Sequence, residues 1–80
     1  MPVYAAKTKL KTEEVVEKAL AYFGDGGLGL EIVEQSDCCV RFKGGGGHVD
    51  VYAELREDKT EIRIETREWD NQVKRFFEKL

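Results

Sequence analysis

The chain has 80 residues, 13 basic and 16 acidic, for a formal net charge of −3 and a pI near 5.2. So short a chain predicts a single domain over residues 1–80, near the size at which one core supplies little surplus stability. The acidic balance argues against non-specific binding to nucleic acid or anionic membrane, and no apolar run reaches the length of a membrane span or a secretory core.

A cytoplasmic protein is therefore expected, and the adjacent Cys38 and Cys39, too few for a disulfide framework, agree with a reducing compartment. Val3 to Thr8 reads as a short strand with Val3 and Ala5 inward. Thr12 suits a helix N-cap because its hydroxyl can accept from free N–H groups of the first turn, and Glu13 and Glu14 complement the positive end of the dipole. Val15, Val16, Ala19, Leu20 and Phe23 then recur at helical spacing, with Gly24 as a left-handed stop and Asp25-Gly26-Gly27 as loop.

Leu28, Leu30 and Ile32 alternate with Gly29, Glu31 and Val33, which predicts a second strand. In a third, Cys38, Val40 and Phe42 point inward and Cys39, Arg41 and Lys43 outward. A three-residue loop at Gln35-Ser36-Asp37 sets Ile32 opposite Val40 and Leu30 opposite Phe42; a two-residue loop would turn Ile32 outward. Gly44 to Gly47 leads into the next strand with Lys43 opposite His48, so that Phe42 meets Val49, Val40 meets Val51, Cys38 meets Ala53 and Arg41 meets Asp50.

The strongest pattern runs from Val49 to Arg67. Val49, Val51, Ala53, Leu55, Ile62 and Ile64 share one face; Asp50, Tyr52, Glu54, Arg56, Glu61, Arg63, Glu65 and Arg67 share the other. A tip at Asp58-Lys59 sets Leu55 against Ile62 and Ala53 against Ile64, and makes Arg56–Glu61, Glu54–Arg63 and Asp50–Arg67 opposite-charge pairs. Trp69, Val73, Phe76, Phe77 and Leu80 then mark an amphipathic helix whose apolar side belongs on the sheet. The expected fold is α+β in two layers: a four- or five-stranded antiparallel meander in the order β-α-β4-α. Both helices lie on one face, and the N-terminal segment pairs beside the last strand.

That order is shared with the TATA-binding-protein-like fold, and the chain resembles a shortened helix-grip (START and birch-allergen-like) domain. The likeness lies in T-E-E-V-V at Thr12–Val16 and in the closing W-D-N-Q-V-K-R-F-F-E-K-L from Trp69. The resemblance implies a small apolar ligand carried under the last helix. Phe23, Ile32, Val40, Phe42, Val51, Ile64, Trp69, Val73 and Phe76 form the candidate pocket, set against a filled core of the same residues.

The glycine run, flanked by Lys43 and His48, has the free N–H groups of an anion nest, yet it joins two strands and lacks the pattern of a Walker loop. A hairpin tip needing positive φ is the simpler reading. Cys38 is expected as a small core residue and Cys39 as an exposed thiol beside Tyr52. A vicinal disulfide would strain a strand, and further metal ligands are lacking nearby. On the polar face acid and base cancel, which disfavours the DNA grip of the TATA-binding protein. Tyr52 beside Cys39 and Val33 is its least polar patch, and Val33, Cys39, Tyr52, Lys43 and His48 form the candidate interaction surface. No nucleophile or acid–base pair can be assembled, so neither catalytic nor cofactor residues are assigned. The expected role is a non-enzymatic interaction domain for a protein partner or a second copy. An apolar-ligand carrier and, more remotely, nucleic-acid binding are the alternatives.

Overall fold

The computed structural model describes residues 3–80 and has the order β1 (Val3–Thr8), α1 (Thr12–Phe23), β2 (Glu31–Gln35), β3 (Cys39–Gly44), β4 (Gly47–Arg56), β5 (Lys59–Arg67) and α2 (Asp70–Glu78). The strands form one antiparallel sheet ordered β1-β5-β4-β3-β2, so the first strand closes against the last as expected. Helix α1 packs over β3 and β4, and α2 over β5. Between the layers Phe23 lies 5.6 Å from Phe42 and 5.2 Å from Phe76, ring centre to ring centre. Val15, Val16 and Ala19 of α1 and Val73 and Phe76 of α2 are buried against Val40, Val49, Val51, Ala53, Ile62 and Ile64.

Strand β1 takes the opposite phase to the one expected. Tyr4 and Ala6, opposite Ile64 and Ile62, turn toward the helices, while Val3 and Ala5 face out. Tyr4 has more apolar surface to bury than Val3, and its hydroxyl donates to Asp70 Oδ2 at 2.6 Å, a partner that only the fold brings near. The start of α1 also moves by one residue. Lys11 is the N-cap, its N–H donating to Glu14 Oε1 at 3.1 Å, and Thr12 is already helical. Gly24 ends the helix in an extended conformation, with its N–H bonded to the Leu20 carbonyl.

Leu28 and Leu30 lie in the loop rather than in β2, where the N–H groups of both are taken by the carbonyls of Tyr22 and Phe23. Register between β2 and β3 breaks between Ile32 and Glu34, so Ile32 faces Phe42 and Gln35 faces Val40. At the sheet edge Ile32 is 45% exposed and Val33 54%. The β3–β4 register is as expected, from Cys39–Tyr52 to Gly44–Gly47, around a tip at Gly45-Gly46 with φ of 58° and 81°. A Cβ on Gly45 would meet Trp69, whose indole N–H donates to the Gly44 carbonyl at 2.9 Å.

The β4–β5 hairpin turns one residue earlier than expected, at Glu57-Asp58, with Glu57 at φ 58°. Moving the tip by one residue shifts the pairing by two, so every side chain keeps its face. Val51 now faces Ile64, Ala53 faces Ile62 and Leu55 faces Thr60, aligning both isoleucines under the helices. Leu55, expected in the core, extends past them and is 65% exposed, whereas Thr60 and Thr66 are buried. The Thr66 hydroxyl donates to the His48 carbonyl at 2.9 Å.

Phe76→Ala should cost about 3–5 kcal/mol in chemical denaturation, because its ring is enclosed by three others, while Leu55→Ala should cost under about 1 kcal/mol. The Tyr4 bond gives a pH test. Donation to Asp70, then burial, holds the phenol above its ordinary value of 10.0. Its contribution is therefore complete below pH 10 and is lost as pH rises through the raised value. The stability difference between wild type and Tyr4→Phe should stay level up to that point and narrow above it.

Candidate functional site

The helices cover one face of the sheet, and the other presents cross-strand rows set by the register. Glu31, Lys43, His48 and Arg67 make one row, and Glu34, Arg41, Asp50, Glu65 and Val3 the next. Cys39, Tyr52, Arg63 and Ala5 form the third; Glu54, Glu61 and Lys7 follow. The third row is the least charged. It places Tyr52, 41% exposed, near the middle of the open face.

Two shallow depressions meet at Tyr52. One, about 260 Å³, is lined by Glu34, Ser36, Cys39, Arg41 and Tyr52. The other, about 460 Å³, is lined by Tyr52, Glu54, Glu61, Arg63 and Glu65. Tyr52 is thus a partly exposed aromatic ring between two hollows lined largely by charged side chains.

Most of the charges around it are paired, and of the three pairs expected across the β4–β5 hairpin only Arg56–Glu61 forms. Asp50 faces Glu65 instead of Arg67, and Glu54 faces Glu61 instead of Arg63. Arg56 and Arg63 offset the facing glutamates: Arg56 lies 3.4 Å from Glu54 and 3.6 Å from Glu61, and Arg63 lies 3.1 Å from Glu61. Arg41 opposite Asp50 is as expected, its Nε donating to Oδ1 at 3.3 Å, with Glu34 3.6 Å away on the other side. The bond to Asp50 and its charge raise the Arg41 pKa above its ordinary value, so the guanidinium is a permanent cation.

Of the five residues expected to form the interaction surface, Cys39 and Tyr52 are cross-strand neighbours at its centre. Lys43 and His48 are opposite each other one row beyond Arg41–Asp50, Lys43 holding Glu31 at 3.4 Å and His48 half-buried. Val33 is separated from them at the irregular edge of β2. The expectation of a core Cys38 and a free Cys39 thiol is corrected. Cys38 is exposed in the turn before β3, and the two cysteines are joined by a vicinal disulfide. With Cys38 outside the strand, the pleat that would oppose such a bond does not constrain it. Val3 and Ala5 were missed as members of this face because only the Tyr4–Asp70 bond reveals the phase of β1.

Among the residues expected to line a pocket, Phe23, Val40, Phe42, Val51, Ile64, Val73 and Phe76 are buried together. Ile32 lies outside them on the edge, and Trp69 is half-buried under the β3–β4 tip. No helix among the described residues is long and apolar enough to cross a membrane. No family model, curated protein or solved structure matches the chain.

Arg41→Ala should lower the urea midpoint more than Lys43→Ala. Removing Arg41 leaves the buried Asp50 carboxylate without its partner, whereas Glu31, released by Lys43, is already hydrated. Equal losses would show that Asp50 does not depend on Arg41.

Proposed function

We propose that the chain is a non-enzymatic interaction domain that offers the open face of its sheet, centred on Tyr52, to a protein partner. One observation carries the reading: a 41%-exposed tyrosine on a middle strand of an uncovered face, with Cys39 and Arg63 opposite it on either side. Tyrosine and arginine supply large, rigid contact area, and the paired charges around them form a polar rim that excludes water without adding a strong field. The setting is cytoplasmic, where the thiol pool reduces the Cys38–Cys39 bridge to two thiols, that of Cys39 cross-strand from Tyr52.

The carrier role implied by the helix-grip resemblance has less support, because the aromatic rings under α2 pack on one another at 5.2 to 5.7 Å. Nucleic-acid binding has less again, given the net charge of −3 and the paired charges of the open face.

Immobilised wild type and Tyr52→Ala, each exposed to cell extract from the source and washed at physiological salt, test the proposal. The expected result is a defined protein retained by wild type and lost with Tyr52→Ala, with thermal unfolding of the two within about 0.5 kcal/mol. Retention unchanged by the substitution would overturn the proposed surface. A small molecule persisting in native mass spectrometry would favour the carrier instead.

A further inference from the structure

The two outer strands of the sheet differ in a way that bears on self-association. On β2 the register breaks beside Val33, and the strand carries Glu31 and Glu34. A second β2 laid antiparallel against it would bring four carboxylates together along an interrupted ladder. Irregular and charged, it is a protected edge. Strand β1 has no irregularity and a single charge, Lys7. Its register with β5 is unbroken from Val3–Glu65 to Thr8–Thr60, it contains no acid, and Ala5 and Ala6 lie at its centre. Among the described residues nothing pairs with its outer side, and Val3 is 54% exposed.

We propose that the chain forms a homodimer by antiparallel pairing of β1 with β1 of a second copy, continuing the sheet across a twofold axis at Ala5. Residues opposite one another in an antiparallel pair share a face, so the axis must lie midway between the two copies of one residue, which is then its own partner position. At Ala5 the open face pairs Ala5 with Ala5 and Val3 with the second copy's Lys7, while the helix face pairs Tyr4 with Ala6. The aliphatic stem of Lys7 covers the exposed Val3, and no two like charges oppose. An axis at Tyr4 would instead oppose two phenol rings, each already bonded to its own Asp70 and overlain by Lys74 Nζ 5.8 Å from the ring centre. The arrangement uses an edge and leaves Tyr52 open, so it is independent of the partner-binding surface.

Sedimentation equilibrium over a range of concentrations tests the dimer, with Val3→Lys and Val3→Glu as the decisive pair. Wild type should show twice the 9.1 kDa chain mass, dissociating on dilution. Val3→Lys sets two lysines against two lysines across the axis and should weaken the dimer about tenfold, whereas Val3→Glu meets Lys7 and should hold or strengthen it. Within one chain the preference is reversed, because residue 3 faces Glu65; thermal unfolding at low concentration should rank the Lys variant above the Glu variant. That opposition separates pairing across the axis from an effect on the fold. Val33→Lys, on the protected edge, should leave the dimer unchanged. A monomer at all concentrations, a dimer indifferent to both Val3 variants, or one dissolved by Val33→Lys would each overturn the proposal.

Discussion

Burial of one face of β4 and β5 is the constraint on which the rest of the architecture depends. Val49, Val51, Ala53, Ile62 and Ile64 supply that face, with Phe42 beside them on β3, and Phe23, Val73 and Phe76 of the helices close over it. Each buried side chain of this size is worth about 1.5–3 kcal/mol, against about 0.2–1 kcal/mol for a cross-strand charge pair. The comparison explains why the hairpin accepts Glu54 opposite Glu61. The turn at Glu57-Asp58 places Ile62 and Ile64 beside Ala53 and Val51, and the exposed arginines adjust around the result.

The same arithmetic sets the limits of the core. Leu55 belongs to the apolar face by its pleat, yet the helices end before it, so its side chain remains in water. Thr60 and Thr66 are enclosed because they alternate in phase with Ile62 and Ile64 on the inward face of β5, flanked by β1 and β4. Tyr4 is held there by a bond to Asp70 at the start of α2, linking the first strand to the last helix. Trp69 performs a similar closure at the opposite hairpin, where its indole reaches the Gly44 carbonyl.

With one face sealed, what remains available is the other face and the two edges. Much of the charge on the open face is paired, and Tyr52 is a partly exposed uncharged group near its middle. One edge is guarded by an irregularity and acids, the other is regular and lightly charged. These asymmetries are physical differences between otherwise similar surfaces, and the proposed partner surface and the proposed dimer edge both rest on them.

Element order and, within β3, β4 and β5, face assignment were legible in the sequence because period-two and helical periodicities are local and survive any shift of register by two. The glycine tip between β3 and β4 was legible too, since Gly45-Gly46 joins strands whose polar and apolar residues match in only one parity. Other features depended on distant partners. The phase of β1 needed Asp70, the exposure of Leu55 needed the reach of the helices, and the bridge between Cys38 and Cys39 needed β3 to begin at the second cysteine. Residue pattern alone thus determined which side chains turn inward on the central strands. Tertiary packing decided their cross-strand partners and the boundary of the core, because both depend on where covering layers end and not on the alternation of the chain.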